Sequence, residues 1–176
     1  MPKKLKHNKQ LQKDCEQIWK DIVALRDGPV CLVREKFPGI TINHTLPFQA
    51  DHCFTRSNKH LFLDPANGNM VCSSCNMAKH YDNKSVKRAV DYITQQRVGK
   101  KKWREMLTND MSMGPNFNWN KIWWLEEKKE ELTRAYKKLQ RQRNRALVTD
   151  QCARKDSKQR EENMPVGWLF EEIEPV

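Results

Sequence analysis

The chain of 176 residues has no apolar run that approaches the roughly 20 residues of a membrane-spanning helix. Its basic first ten residues are not followed by the apolar core of a signal peptide. We therefore expect neither membrane insertion nor secretion, and we expect a cytoplasmic location. Without an export signal, the six cysteines are better explained as thiols or metal ligands than as a disulfide framework.

Acidic residues are also few, with 22 Asp and Glu against 33 Lys and Arg. Five of the acidic residues lie from Glu161 onward, where there is no basic residue. Residues 1–160 therefore carry 33 basic and 17 acidic side chains, a net charge of +16. This excess favours a polyanionic partner, because neutralising phosphates releases counterions. The alternative is a basic surface that serves only solubility.

Hydrophobic periodicity predicts helices on both sides of an irregular middle. A helix is expected over residues 10–26, and a second from about residue 83 to residue 98, where Gly99 interrupts it. A third, over residues 120–147, has an apolar seam that is expected to pack on the first helix rather than in a coiled-coil dimer. Residues 149–163 are interpreted as a solvated linker, followed by an acidic and aromatic tail.

The middle of the chain predicts a strand, a loop, a strand and a helix. Residues 30–51 break into short extended pieces, with residues 41–43 and Phe48–His52 as strand candidates. Residues 69–72 can form a second strand, and Ser73–His80 has the length of a short helix. We expect four parts along the chain: a basic segment and helix (1–28), a core (29–82), a helical region (83–148), and a linker with tail (149–176).

Several residues of this core suggest metal-dependent hydrolysis of phosphodiesters. Asp51 and Asn76 offer the oxygen ligands that hard divalent cations prefer, and His52 is the natural base near neutral pH. Cys72 and Cys75 have the spacing of a metal knuckle. Hydrolysis needs a base for the attacking water and stabilisation of the leaving oxygen, and each has a candidate here.

The order of these residues resembles the HNH, or ββα-metal, nuclease motif. Asn67 follows His52 by 15 residues, and Asn76 follows Asn67 by 9. The resemblance implies that a β-hairpin and a helix form the core, with His52 as general base. It also implies that Asp51 and Asn76 hold one Mg²⁺ or Mn²⁺, and that Asn67 orients the base through a loop contact. His80, four residues beyond Asn76 on the expected helix, is a further candidate ligand.

A more particular resemblance covers roughly residues 10–140. The segments CLVRE (31–35), QADH (49–52) and LFLDPANGNMVCSSCNMAKHYDN (61–83) are similar to the phage recombination endonucleases of the NinG (Rap) family. This implies an α+β protein with a small treble-clef-like core between N- and C-terminal helices. It also implies cleavage of branched DNA such as recombination junctions, in the cytoplasm of the phage host. A symmetric junction would suit a homodimer.

The chain departs from that family at its expected zinc site. Members of this type usually have two CxxC pairs, whereas Arg34 stands where the second thiol of the first pair should be. The alternatives are a structural zinc ion with a substitute ligand, or a knuckle without metal. The candidate zinc ligands are Cys31, Cys72 and Cys75, with His44 or Cys53 as the fourth.

Basic residues supply candidate contacts to nucleic acid. Arg56 and Lys79 lie near the expected site and can hold phosphates. The aromatic residues Phe117, Trp119, Trp123 and Trp124 fit either base stacking or core packing. The candidates for broader contact with the DNA backbone are Lys100, Lys101, Lys102, Arg134, Lys137, Lys138 and Arg141.

Two other functions compete with a nuclease that acts on branched DNA. One is a non-catalytic, zinc-stabilised nucleic-acid-binding module, which would have no use for Asp51 and Asn76. The other is an HNH enzyme of restriction or homing type that acts on duplex DNA. No segment resembles a separate sequence-reading domain, which counts against it.

Overall fold

A two-stranded antiparallel sheet lies among helices in this mixed α+β protein. Strand β1 (Phe48–His52) pairs with β2 (Gly68–Cys72), with Phe48 opposite Cys72 and His52 opposite Gly68. The computed structural model describes residues 3–54, 61–81, 83–111 and 121–162. The helices are α1 (Lys3–Asp27), α2 (Leu32–Lys36), α3 (Ser73–His80), α4 (Lys84–Met111) and α5 (Ile122–Glu162).

Helix α1 buries one apolar face, as its periodicity predicts, but it begins seven residues earlier than expected. It ends where Gly28 adopts a φ of 77°, and the Gly28 N–H donates to the carbonyl of Ala24 at 2.9 Å. Glycine takes this conformation without a steric penalty and so terminates the helix. The buried residues of α1 are Leu11, Cys15, Trp19, Ile22 and Val23.

Helix α1 approaches β2 very closely at Gly68. A Cβ atom at this position would lie 2.4 Å from Val23 Cγ2 and 2.8 Å from Trp19 Cζ2. Real Cβ atoms do not come this close to other atoms, so the packing of α1 on the sheet depends on glycine here.

A buried polar network joins α1, β2 and α4. Arg97 donates to Asn69 Oδ1 at 2.6 Å, and Asn69 donates to Thr94 Oγ1 at 2.8 Å. Asp27 accepts from the backbone N–H of Met70 at 3.0 Å and pairs with Arg97 at 3.4 Å. Burial lowers the pKa of Arg97 to about 10, which leaves the guanidinium charged at neutral pH.

The apolar seam of α5 packs on α1, as predicted. Leu125 and Leu132 are buried in the same core cluster as the α1 face. The Cys15 thiol donates to the Leu125 carbonyl at 3.4 Å, and Lys129 pairs with Asp14 at 2.6 Å. Trp124 packs against this cluster, whereas Trp123 is 55% exposed. Phe117 and Trp119 lie outside the described residues.

Three predictions of secondary structure need correction. Residues 32–36 form helix α2 instead of an extended piece, and residues 41–43 form no strand. Helix α4, by contrast, is interrupted where predicted, because Gly99 has a non-helical φ of 79° and kinks it. The linker expected from residue 149 is helical as far as Glu162, because this stretch contains no glycine or proline to end α5.

The strands and α3 follow the predicted order, and α3 has the predicted bounds. The chain divides into two compact units, Met1–Leu139 and Gln140–Val176. In the second unit, the described residues belong to the later part of α5. None of the helices in the described ranges combines the length and apolarity that crossing a bilayer requires.

Candidate metal centre and adjoining pocket

Three thiols and one imidazole converge beside the sheet. Cys31 precedes α2, His44 lies in the loop before β1, Cys72 ends β2, and Cys75 lies in the first turn of α3. His44 Nδ1 is 3.3 Å from Cys72 Sγ, 3.4 Å from Cys75 Sγ and 3.7 Å from Cys31 Sγ. All four ligand atoms lie within 4.8 Å of one another. This group can hold a metal ion.

The spacing of the ligand atoms fits a tetrahedral zinc ion. Zn–S bonds of about 2.3 Å at tetrahedral angles place two sulfur atoms about 3.8 Å apart. The sulfur atoms of Cys31 and Cys75 are 3.7 Å apart. A zinc–nitrogen bond is shorter than a zinc–sulfur bond, so the expected separation between a nitrogen ligand and a sulfur ligand is slightly smaller. His44 Nδ1 is accordingly 3.3 and 3.4 Å from the sulfur atoms of Cys72 and Cys75. Three cysteines and one histidine are also a common ligand set of structural zinc sites.

The electrostatics of the thiols also favour a bound cation. Burial raises the pKa of Cys75, and the adjacent thiols of Cys72 and Cys31 raise it further. Burial opposes ionisation of Cys31 as well, but the backbone at Arg34 and Cys72 stabilises the thiolate and its pKa lies below the ordinary value. A positive charge beside the Cys75 thiol would offset both the burial and the neighbouring thiols that raise its pKa.

The geometry selects His44 over Cys53 as the fourth ligand. The Cys53 thiol donates instead to Asp91 Oδ1 on α4, at 3.4 Å. Burial raises the pKa of Cys53 to about 12, so this thiol stays protonated at neutral pH. Arg34, which stands at the missing thiol position, is exposed and is not among the ligands.

A pocket of about 800 Å³ lies between α1, β1 and α3. Asp51 and His52 both line it, although successive residues of a strand usually point to opposite faces. Strand β1 ends at His52 and the chain bends directly afterwards, which meets the requirement for placing both residues at one site. The other polar residues that line the pocket are Lys20, Asp21, Gln49, Asn76, Lys79 and His80.

The His52 ring is held rigidly. It stacks on Trp19 of α1, with ring centroids 4.0 Å apart and planes 5° from parallel. Phe62 stacks near it at a centroid separation of 5.7 Å, and the Phe62 carbonyl lies 2.9 Å from His52 Nε2. A carbonyl can only accept, so Nε2 is the protonated nitrogen. A neutral ring of this tautomer has its basic lone pair on Nδ1.

Asp51 is buried and paired with Lys79 of α3. The Lys79 ammonium donates both to Asp51 Oδ2 and to the His52 carbonyl. Both side chains of the ion pair are only 10% exposed. Lys79 was expected to hold a phosphate, but in this structure it neutralises Asp51.

Asn67 holds the two ends of the loop that follows β1. Its side-chain oxygen accepts from Phe54 N at 2.7 Å, and its amide donates to the carbonyls of Phe54 and Leu61 at 3.2 and 3.1 Å. Leu61 directly precedes Phe62, whose carbonyl binds His52. Asn67 therefore holds the residue next to the one whose carbonyl contacts His52.

Asn76 lines the pocket, and its side-chain oxygen is buried. Its Oδ1 atom is buried and, among the described residues, accepts no hydrogen bond. His80 lines the same pocket from the next turn of α3 but is exposed. Within the described ranges, Asp51, His52 and His80 do not form a close three-ligand group of the kind that the cysteines form with His44.

Comparisons of the chain with protein-family models, with curated proteins and with solved structures find no match. The geometry alone therefore supports the functional inference.

The basic residues predicted to contact DNA differ in their surroundings. Lys102 is 3.4 Å from Asp64 but remains 45% exposed. Arg56 lies outside the described residues. The remaining ones, which are exposed on α4 or α5, are Lys100, Lys101, Arg134, Lys137, Lys138 and Arg141.

Sequence reasoning missed the residues that support the pocket. The contact from Phe62 uses a backbone carbonyl, which no residue type can signal. Trp19 and Lys20 come from α1, whose apolar periodicity indicated only core packing. Asn76 and Lys79 are three residues apart, which places both side chains on one face of α3. This spacing was the sequence signal that Lys79 lies beside the pocket.

Proposed function

We propose that this protein is a divalent-metal-dependent DNA endonuclease of the HNH type. The supporting observation is the single pocket that Asp51, His52 and Asn76 line together. These residues were expected on sequence grounds to be the metal ligands and the base. The antiparallel β1 and β2, followed at once by α3, form a ββα unit that carries all three.

Asp51 and Asn76 fit a hard cation. A carboxylate oxygen and an amide oxygen are the ligands that Mg²⁺ and Mn²⁺ prefer, and the buried Asn76 Oδ1 has no hydrogen-bond partner among the residues that the structure describes. When bound, such an ion supplies charge stabilisation for the scissile phosphate and the leaving oxygen.

His52 acts as the general base in this proposal. Its Nε2–H is engaged by the Phe62 carbonyl, so a neutral ring accepts the proton of the attacking water at Nδ1. The resulting imidazolium is stabilised because the Phe62 carbonyl continues to accept from Nε2. Trp19 and Asn67 keep the ring in place, the first by stacking and the second through the loop.

The proposed role of zinc at Cys31, His44, Cys72 and Cys75 is structural. All four positions are taken by protein ligands, which leaves no open site for substrate. The cluster joins the start of α2, the loop before β1 and the first turn of α3, and so orients the helix that carries Asn76.

The test uses the full chain with labelled four-way, flap and linear duplex DNA in Mg²⁺, Mn²⁺ or EDTA. We expect cleavage of the branched substrates that requires the divalent ion and falls at least about 100-fold in His52→Ala, as for loss of a general base. His7→Ala, at an exposed histidine of α1, is the matched control and should cleave normally. Wild-type cleavage by His52→Ala would refute the assignment, and equal cutting of linear duplex would refute the substrate preference.

A non-catalytic nucleic-acid-binding module is the second candidate, and one contact favours it. Lys79 already neutralises Asp51, so the pocket is electrostatically satisfied without a metal ion. In that case the protein binds DNA equally well with and without Mg²⁺ and cleaves none of the substrates above.

A further inference from the structure

Lys79 is the side chain whose position the proposed function leaves unexplained. A nuclease site that binds a divalent cation through Asp51 would be expected to keep that carboxylate accessible. Instead, Lys79 donates to Asp51 Oδ2 and to the His52 carbonyl, in a pair that is 10% exposed on each side.

We propose that Lys79 is a place-holding cation that competes with the divalent ion for Asp51 and moves to a DNA phosphate when that ion binds. The inference rests on the proposed function, because it concerns the same pocket and the same ion. It makes Lys79 a positioning and regulatory residue rather than part of the proton-transfer machinery.

One cation beside Asp51 stabilises the buried carboxylate, whereas two cations at this position would repel each other. A buried carboxylate that loses its ion-pair partner is strongly destabilised, so the metal-free pocket needs Lys79. A divalent ion on Asp51 would lie within a few ångströms of the ammonium, and like charges at that distance repel strongly in a partly buried site. Binding of the ion therefore displaces Lys79.

From its position on α3, the Lys79 side chain can reach the pocket opening as well as Asp51. It lies in the last turn of the helix, next to the exposed His80, and its flexible four-carbon stem can carry the ammonium toward the pocket opening. Lys20 of α1 lines the same pocket. A phosphate at this opening would be neutralised by both lysines.

This arrangement couples metal binding to DNA binding. A phosphate that binds the displaced ammonium offsets the cost of taking Lys79 from Asp51. By linkage, DNA then raises the affinity for the divalent ion by the same factor as the ion raises the affinity for DNA. The pocket would hold the ion weakly until substrate is present.

The experiment measures Mn²⁺ binding to the zinc-loaded full chain by electron paramagnetic resonance of the free ion, without and with uncleavable phosphorothioate DNA. In Lys79→Met, we expect Mn²⁺ affinity without DNA to rise on the order of tenfold, and the DNA-induced increase seen in wild type to be lost. Lys84→Met, at an exposed lysine of α4, is the matched control and should leave both quantities unchanged.

Two further variants keep the result interpretable if the unpaired Asp51 destabilises the fold. Asp51→Asn should lose Mn²⁺ binding, and the double variant Lys79→Met/Asp51→Asn removes both charges of the buried pair and should fold without binding Mn²⁺. In thermal denaturation, Mn²⁺ should raise the Tm of Lys79→Met more than that of wild type. Equal or weaker Mn²⁺ affinity in Lys79→Met would overturn the inference, as would the absence of Mn²⁺ binding in every variant.

Failure of the inference and failure of the proposed function give different results. Tighter Mn²⁺ binding in Lys79→Met without DNA cleavage by any variant supports the place-holding role and refutes the nuclease. Cleavage that depends on His52, with unchanged Mn²⁺ affinity in Lys79→Met, supports the nuclease and refutes the role of Lys79.

Discussion

Gly68 shows how one residue determines the surroundings of the candidate base. Its φ of −106° is open to any amino acid, so the need for glycine comes from space and not from backbone conformation. The Trp19 ring that a Cβ atom at position 68 would strike is the same ring that stacks on His52. A change at Gly68 is therefore transmitted to the pocket through Trp19.

Replacing Gly68 by alanine should destabilise the protein by about 1–3 kcal/mol, because the added methyl group overpacks the contact between α1 and β2. Chemical denaturation measures this free energy of unfolding. Gly39→Ala is the control, since a Cβ atom there meets nothing within 4 Å. Equal stability of the two variants would contradict the packing argument.

Residue types predicted much of the site but not its contacts. Asp51, His52 and Asn76 were recognised from their chemistry and spacing, and one pocket contains all three. The ion pair between Asp51 and Lys79 was not predicted, because a lysine on a helix is usually solvated. His44 was one of two alternatives for the fourth zinc ligand, since spacing alone did not distinguish a loop histidine from Cys53.

At the scale of the element, α3 connects the metal centre to the pocket. This helix of eight residues begins at the knuckle, where Cys72 accepts from the Cys75 N–H at 3.4 Å. Asn76 is the very next residue, and Lys79 follows one turn later. The orientation of the first turn therefore sets the position of both pocket residues.

We expect purified protein to contain one zinc ion per chain, which elemental analysis would measure. His44→Ala and Cys75→Ser should lose zinc and show a lower Tm, because the ion contributes to folding. Zinc affinity should fall as the pH falls, since protons compete for the thiolates and the imidazole. Cys53→Ser should retain the zinc, and loss of zinc from that variant would contradict the assignment of His44.

Elements with strong local signals were predicted more reliably than those that depend on tertiary contacts. The start of α3 follows from the cysteine knuckle that precedes it. The positions of the strands follow from the alternation of apolar and polar residues and from the turns that flank them. Helix α2 has only five residues, too few for a periodic pattern, and it begins next to the ligand Cys31. Its Leu32 and Val33 are buried in a core cluster with Cys72 and Cys75, and these are tertiary contacts that the sequence did not indicate.

At the scale of the whole molecule, exposed charges and buried charges differ in their partners. The chain has a net charge of +11, and the basic residues of α4 named above are exposed. Charges in the interior, such as those of Asp27 and Arg97, are instead paired with each other. The exposed lysines of α4 are therefore accessible to a partner of opposite charge.

Binding of DNA in EDTA should weaken steeply with salt, because each neutralised phosphate releases counterions. Replacing Lys100 and Lys101 by alanine should reduce the slope of log affinity against log salt by about 1 for each lysine that binds a phosphate. Fluorescence anisotropy measures that slope. Gln96→Ala, an exposed neutral position on α4, is the control, and an unchanged slope in the lysine variant would exclude this face from the DNA interface.

The long-range arrangement was the least predictable property of the chain. The periodic seam of α5 predicted its packing on α1, and Leu125 and Leu132 confirm this. Neither periodicity nor spacing could show that Arg97 reaches Asn69, or that α1 closes one side of the pocket. Such contacts depend on how the elements are placed in space, which single-sequence patterns do not encode.

The pocket draws its lining from four separate parts of the sequence: residues 20–24 of α1, residues 48–52 of β1, Met70 of β2, and residues 76–80 of α3. No one of these parts contains all the residues that the proposed function requires. For the proposed nuclease, a partly folded chain would be inactive, because these residues come together only in the tertiary fold. Completion of the tertiary fold is then itself the safeguard against premature cutting.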